Sequence, residues 1–200
     1  MPGTILTTPS VQVFYYTAGS YTLAIPEGVS VMVAWVQAAG GSGKGRAGVD
    51  GSAGGGGGFS YIVREVLTGE WGNNLSIAVG AGSASNDGGN STLSGTVGGG
   101  SISLTANGGV KGTTLSDGAG GTASGGDTNL SGEDGFGFVV GPPGEEAPGT
   151  PGRSGGIYNA GAGIPFIGVS DVAFFGPGEG GFASSVDTAG WDGYVTVEFS

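Results

Sequence analysis

Glycine at every third position is the feature that most constrains this chain. In the stretch 40–59, glycines stand at positions 45, 48, 51, 54 and 57, between apolar runs at Val29–Val36 and Phe59–Leu67. Polyproline II-type backbone has three residues per turn, so glycine at every third position leaves one edge bare and lets neighbouring backbones approach closely. The pattern predicts several such segments packed together, or else a flexible linker. The alternation of glycine blocks with apolar runs favours packed segments.

The apolar runs alternate with a period of two, which predicts β-strands. Val11–Tyr16 and Ser20–Ile25 flank a short turn and are predicted to form a hairpin. Val29–Val36 is apolar on both faces, as expected of a central strand covered on both sides, with Trp35 in the core. Further strands are predicted at Phe59–Leu67, Leu75–Val79, Ser101–Thr105 and Tyr194–Phe199. No segment has a helical period, so the fold class is all-β without substantial helix.

The length of 200 residues fits a single glycine-rich β domain over 1–200. Its predicted parts are a strand-rich half at 1–107, a glycine-rich loop region at 108–162, and closing strands at 163–200. Strands nearly vanish from the loop region, which is predicted to be a second glycine layer or a mobile arm.

Composition excludes several classes of function. The net charge is −11 with five cations, so no basic patch for nucleic acid is expected. Histidine and cysteine are absent, which excludes Ser-His-Asp and Cys-His catalysis and thiolate metal sites. The N-terminus lacks the basic and apolar regions of a signal peptide, so synthesis in the host cytoplasm is expected. We expect no enzyme activity, no cofactor and no metal.

Acidic residues offer two weak alternatives to that expectation. Glu133-Asp134 and Glu145-Glu146 resemble carboxylate pairs, but adjacent side chains in extended backbone point apart, so a solvated loop is the better interpretation. Asn86-Asp87, Asp127 and Glu133-Asp134 offer oxygen ligands that calcium prefers, without any calcium-binding repeat.

Aromatic residues in the glycine-rich half are the candidate receptor-contact residues, because aromatics on loops stack on sugars or anchor interfaces. The alternative is a satellite core that holds the loops in place. These candidates are Phe136, Phe138, Tyr158, Phe166, Phe174 and Phe175.

Seven motifs follow one another along the chain from about Gly19 to Phe199. They are Gly19–Val29, Val31–Gly41, Gly54–Phe59, Leu75–Gly82, Gly88–Thr92, Ala106–Gly109 and Ala189–Val197. In this order they resemble the glycine-rich domain of bacteriophage tail fibres and related virion adhesins. The chain departs from the family pattern once, with Gln37-Ala38-Ala39-Gly40-Gly41 where the family usually has Gly-Ala-Gly-Gly.

The resemblance implies a β-sandwich-like scaffold with long glycine-rich, polyglycine-II-like loops. It further implies a virion location and attachment to a host-surface receptor, either a glycan or an outer-membrane protein, alongside other virion proteins. The alternatives are a purely structural virion component, such as a capsid decoration protein or head fibre, and an ice-binding or cell-surface polyglycine protein. Ordering 50 glycines is costly, so a homo-oligomer is also expected, a trimer by resemblance to fibres.

Overall fold

The computed structural model describes residues 10–44, 52–136 and 188–200. Over these ranges the chain forms ten β-strands in two five-stranded sheets, in which every strand pair is antiparallel. The described residues contain no α-helix, only the 3-10 turn Thr68–Glu70. The predicted all-β fold is therefore confirmed.

The two sheets draw their strands from both halves of the chain. The first sheet has the order β1 (Val11–Tyr15), β10 (Tyr194–Phe199), β3 (Val31–Gln37), β4 (Phe59–Glu65) and β9 (Thr128–Leu130). The second sheet has the order β2 (Gly19–Ala24), β5 (Asn74–Val79), β6 (Ser91–Val97), β7 (Gly100–Ala106) and β8 (Ala123–Ser124).

The hydrophobic core lies between the two sheets. Alternate residues of each strand face inward, as the period of two requires. In the first sheet the register aligns Val197, Ala34 and Ile62 in one fully buried row. From the second sheet, the fully or nearly fully buried side chains are Leu75, Ile77, Leu93, Val97, Leu104 and Ala106. This core thus contains residues of the strands predicted at Val29–Val36, Phe59–Leu67, Leu75–Val79, Ser101–Thr105 and Tyr194–Phe199.

The predicted hairpin of the first two strands is wrong. β1 pairs with β10 in the first sheet, whereas β2 pairs with β5 in the second. The chain crosses between sheets through Thr17, whose carbonyl accepts a 2.6 Å hydrogen bond from the Tyr21 hydroxyl. The rings of Tyr15 and Tyr21 contact each other at 4.6 Å between centroids. Two amphipathic strands joined by a short turn also fit this crossover, because each then buries its own apolar face.

The predicted burial of Trp35 is also wrong. β3 is the central strand of the first sheet, as expected, but only Met32, Ala34 and Val36 point into the core. Trp35 lies on the outward face and is partly exposed. A strand with two apolar faces is therefore buried on one face and presents aromatic and aliphatic groups on the other.

Three strands were not predicted: β6, β8 and β9. β6 has the sequence STLSGTV, whose small hydroxyl residues give little apolar signal. β6 and β7 are joined through Gly98 and Gly99, which have φ values of 69° and 75°. Two successive positive φ angles are the requirement of a type I′ hairpin turn, which glycine meets without strain. β8 and β9 are only two and three residues long and lie in the region expected to lack strands.

Glycine-rich segments extend from one end of the sandwich and pack beside one another; we call this assembly the glycine bundle. Within the described residues it consists of 37–44, 52–58, 80–83, 86–90, 107–112, 118–122, 132–135 and 188–193. Each segment adjoins a strand: one leaves β3, for example, and the next leads into β4. Because the strands are antiparallel, their outgoing and returning segments meet at the same end.

Hydrogen bonds in the bundle change direction with every residue and repeat every third residue. From Ala38 onward, three successive N–H groups of the segment 37–44 donate in turn to the segments 52–58, 86–90 and 188–193, and the next three repeat this order. The first set joins Ala38 to Gly58, Gly41 to Gly55 and Lys44 to Ser52 at 2.9–3.0 Å. Such bonding in three directions is what backbone with three residues per turn provides. The described part of the glycine track is packed and is not a linker.

Glycine is required where bundle segments touch through their backbones. A Cβ added to Gly109 would lie closer than 3.0 Å to the carbonyls of Gly55 and Gly56. The N–H of Gly109 meanwhile donates to the carbonyl of Ala39 at 2.9 Å. The predicted glycines at positions 45, 48 and 51 lie outside the described residues, whereas Gly54 and Gly57 both pack against the segment 37–44.

Candidate functional site

Of the six predicted contact aromatics, Phe136 lies within the described residues. Its side chain is 68% exposed, at the end of the bundle segment 132–135. It is therefore accessible to a partner. The other five, Phe138, Tyr158, Phe166, Phe174 and Phe175, lie outside the described residues.

A second set of aromatics, which the sequence did not single out, lies on the outward side of the first sheet. The register places Phe14 beside Thr196, Thr196 beside Trp35, and Trp35 beside Tyr61 in one row across four strands. The Trp35 and Tyr61 ring centroids are 5.7 Å apart. We call Phe14, Tyr16, Trp35, Tyr61 and Tyr194 the aromatic face.

The aromatic face is open to solvent at its β1 edge. Phe14 is 40% and Tyr16 is 47% exposed, and their rings stack at 5.7 Å with an interplanar angle of 7°. The ring centroids of Tyr16 and Tyr194 are 6.4 Å apart. Burial raises the pKa of the Tyr194 phenol above its ordinary value, and the nearby Tyr16 raises that pKa further. Burial also raises the pKa of Tyr16, so both phenols stay neutral at physiological pH.

The outward side of the second sheet has the opposite chemistry. Its cross-strand rows pair Thr22 with Ser76, Ser76 with Ser94, and Ser94 with Ser103. A parallel row pairs Ala78 with Thr92 and then Thr105. The register places no charged side chain on this hydroxyl face, and an open groove of about 350 Å³ runs over β2 and β5. The outer face of the first sheet is thus aromatic, whereas the outer face of the second sheet carries mainly serine and threonine side chains.

Acidic side chains in the described ranges act mainly as hydrogen-bond acceptors for main-chain N–H groups. Around the bundle, Asp87 accepts from Lys111 N at 2.9 Å, Asp117 from Ala53 N at 3.0 Å, and Asp134 from Gly120 N at 2.8 Å. Each carboxylate thus supplies an acceptor to a main-chain N–H that has no main-chain acceptor among the described residues.

Two further carboxylates are held with lowered pKa values. Glu70 accepts from Gly99, Leu67 and Gly98, joining two turns at the end of the sandwich opposite the bundle. These bonds, that from Gly99 first, lower the pKa of Glu70. Asp127 accepts from Val63 N and from Arg64, and both contacts lower its pKa.

These contacts do not assemble a metal-binding centre in the described ranges. Asp87, Asp127 and Asp134 each hold a different main-chain N–H, and no group of three or more acidic, histidine or cysteine side chains is placed to bind a metal ion in the described part of the chain. Over the same ranges, no helix is long and apolar enough to span a membrane.

Comparison with known proteins gives no family for this chain. No protein-family model matches it, and no curated protein matches it.

Proposed function

We propose that the chain is a virion surface protein of the tail-fibre or tail-tip type that attaches to a receptor on the host surface. The observation that carries the proposal is the position of the seven family-like motifs. All but the first run between a strand and a bundle segment, such as Val31–Gly41 from β3 and Gly54–Phe59 into β4. The position of these motifs at the junctions between strands and bundle segments supports the proposal.

The shape of the molecule favours attachment. The bundle is held by main-chain hydrogen bonds, so its glycine segments form a stiff support that needs few side chains. Its surface side chains are therefore free to serve binding, and Phe136 is exposed there. The aromatic face supplies a further surface in which Phe14 and Tyr16 are accessible. Exposed aromatic clusters mark interaction sites more often than isolated apolar residues do.

The partners that fit these surfaces are a host glycan or outer-membrane protein and neighbouring virion proteins. A homo-oligomer remains a prediction. The entropic cost of ordering glycine supports it less than the sequence suggested, because in the described residues one chain already bonds its own glycine segments to one another.

Antibody labelling of intact particles of the virus that encodes this chain tests the proposal. We expect label at the tail end, and we expect the purified protein to compete with particles for adsorption to host cells. The Phe136→Ala variant should compete less well than the wild type, while Leu115→Ala, which truncates an apolar residue that is 92% exposed, should compete normally. Label on the capsid lattice would overturn attachment and support a structural decoration protein. Absence from the particle would overturn both.

A further inference from the structure

The sandwich has two sides on which the edge strands of its two sheets meet. On one side lie β8 and β9, which contact each other and are only two and three residues long. Beside the start of β9, the carboxylate of Asp127 accepts a hydrogen bond from the main-chain N–H of Val63 and pairs with Arg64 at 2.8 Å. Short strands and charged side chains are the usual protection of sheet edges against pairing with another chain. This side of the sandwich is therefore closed.

The other side, formed by the outer edges of β1 and β2, lacks that protection in the described residues; we call it the open side. Its strands are five and six residues long, and the rings of Tyr15 and Tyr21 join them. The first charged residue of the chain is Glu27, which follows both strands. Among the described residues, the main chain of β1 pairs with β10 alone. Alternate N–H and carbonyl groups of β1 therefore face the open edge without a main-chain partner in the described part of the chain.

The hydrophobic core is least covered at the open side. In the described part of the chain, six partly buried apolar side chains pack against the core, and four of them lie here: Val11, Tyr15, Tyr21 and Leu23. On the outward face of the same edge, Phe14 is 40% exposed. An added strand with apolar residues at alternate positions would cover these side chains and pair the outer main-chain groups of β1.

We infer that two copies of the chain associate through the open side, with β1 of one copy pairing antiparallel with β1 of the other about a two-fold axis. The strand suits itself as a partner, because a two-fold axis perpendicular to the sheet places inward residues opposite inward residues. Val11, Val13 and Tyr15 of the two copies would then extend one core. Phe14 of each copy would lie near Phe14 of the other, and the two five-stranded first sheets would become continuous.

Charge favours a second copy as the occupant. With a net charge of −11 on each chain, two copies repel each other wherever carboxylates meet. The open side brings no charged side chain of β1 or β2 into the contact, and the register places one carboxylate, that of Glu198, beside Gln12 on the neighbouring strand. A basic partner, in contrast, would be attracted to the acidic remainder of the chain and gain nothing from this neutral edge. The inference does not rest on the virion assignment.

Sedimentation velocity of the purified protein over a range of concentrations tests the inference. Five paired residues at about 3.4 Å each give a seam about 17 Å long, which makes a small interface, so we expect a Kd of about 1–100 µM. The mass should rise from 19.1 kDa to twice that value as the concentration passes through this range. Hydrogen exchange of the β1 amides that face the open edge should slow over the same range, because they gain partners only in the dimer.

Lysine substitutions at two equally exposed positions separate the β1 edge from the rest of the outward face. Phe14→Lys should weaken the dimer about tenfold or more, because it brings two cations together at the seam. Val63→Lys is the matched control, since Val63 is 39% exposed on the same face but lies on β4, away from the open side. An equimolar mixture of the Phe14→Lys and Phe14→Glu proteins should dimerise again, because each seam then joins opposite charges.

Each alternative outcome overturns a defined part of the inference. A wild-type protein that stays monomeric over the whole range would exclude a second copy as the occupant. A trimer, the state expected by resemblance to fibres, would exclude the two-fold pairing of β1. Equal loss of association in Val63→Lys would move the contact from the edge to the aromatic face. If Phe14→Lys fails to fold, the hydrogen exchange of the wild type decides, and β1 amides insensitive to concentration would exclude the seam. Particle labelling is independent of all these results.

Discussion

Replacing Gly57 by alanine tests whether the glycine bundle is a close-packed backbone structure. Gly57 lies in the segment 52–58, against the segment 37–44. A Cβ at this position would lie 2.9 Å from the carbonyl oxygen of Ala39 and closer still to that of Ala38. Ordinary contact begins at 3.4 Å, and both neighbours are main-chain atoms that cannot rotate away. The two segments must therefore separate by about 1 Å to restore a van der Waals distance.

The cost of that separation follows from the bonds it breaks. The segments are joined near Gly57 by Ala38 N to Gly58 O at 3.0 Å and Gly41 N to Gly55 O at 2.9 Å. The buried Gln37 amide adds hydrogen bonds to the carbonyls of Gly57 and Gly58, both at 2.9 Å. A shift of about 1 Å takes such bonds beyond hydrogen-bonding distance, at about 1 kcal/mol each. Alanine also reduces the conformational entropy of the unfolded chain, which offsets about 0.4–1 kcal/mol of this destabilisation.

The four bonds amount to about 4 kcal/mol, so the expected net result for Gly57→Ala is a destabilisation of about 3–4 kcal/mol. In a domain of this size that lowers Tm by about 6–16 °C, which thermal unfolding followed by circular dichroism measures. Gly69→Ala is the matched control, because nothing lies within 4 Å of a Cβ there and its φ is not positive. It should be neutral or slightly stabilising. A Gly57→Ala protein that melts at the wild-type temperature would refute the close packing of the bundle.

Two further predictions concern the sandwich. Trp35→Ala should lower the free energy of unfolding by about 1–2 kcal/mol, because the ring lies on the outward face. Ile62→Ala on the neighbouring strand should lower it by about 2–5 kcal/mol, because that side chain is fully buried. Urea unfolding measures both values, and the reverse order would contradict the orientation of β3. The lowered pKa of Glu70 means that its carboxylate stabilises the fold above its ordinary pKa of 4.5 and that this stability is lost as the pH falls through and below that value. Glu70→Gln should therefore lower Tm at pH 7 and flatten the decline of Tm toward pH 3, and an unchanged pH dependence would show that the Glu70 contacts with both turns do not form.

Local sequence pattern determined the strands and the nature of the glycine segments. The alternation in Leu75–Val79 and Tyr194–Phe199 predicted strands that the structure contains, because a half-buried strand must alternate. Glycine repetition predicted packed segments with three residues per turn, because only glycine allows such backbone contact. β6 lacked a signal since its outward positions are serine and threonine and its inward ones include Gly95.

Tertiary structure decided which sheet each strand joins and which face each strand exposes. The sequence Val11–Ala24 is compatible with a hairpin or with a crossover, and only the pairing of β1 with β10 excludes the hairpin. The apolar run around Trp35 predicts that this side chain lies in the core, but the second sheet covers only the opposite face of β3.

The candidate sites depended even more on long-range structure. Exposure of Phe136 agrees with a contact role, but Tyr16 and Tyr194 are distant in the chain and lie on one face only because β1 pairs with β10. In the bundle each segment bonds to others through main-chain N–H and carbonyl groups, and every residue type has these groups. The sequence therefore determines that glycine segments pack, whereas the neighbours of each segment are set by the strands that fix where it leaves and returns.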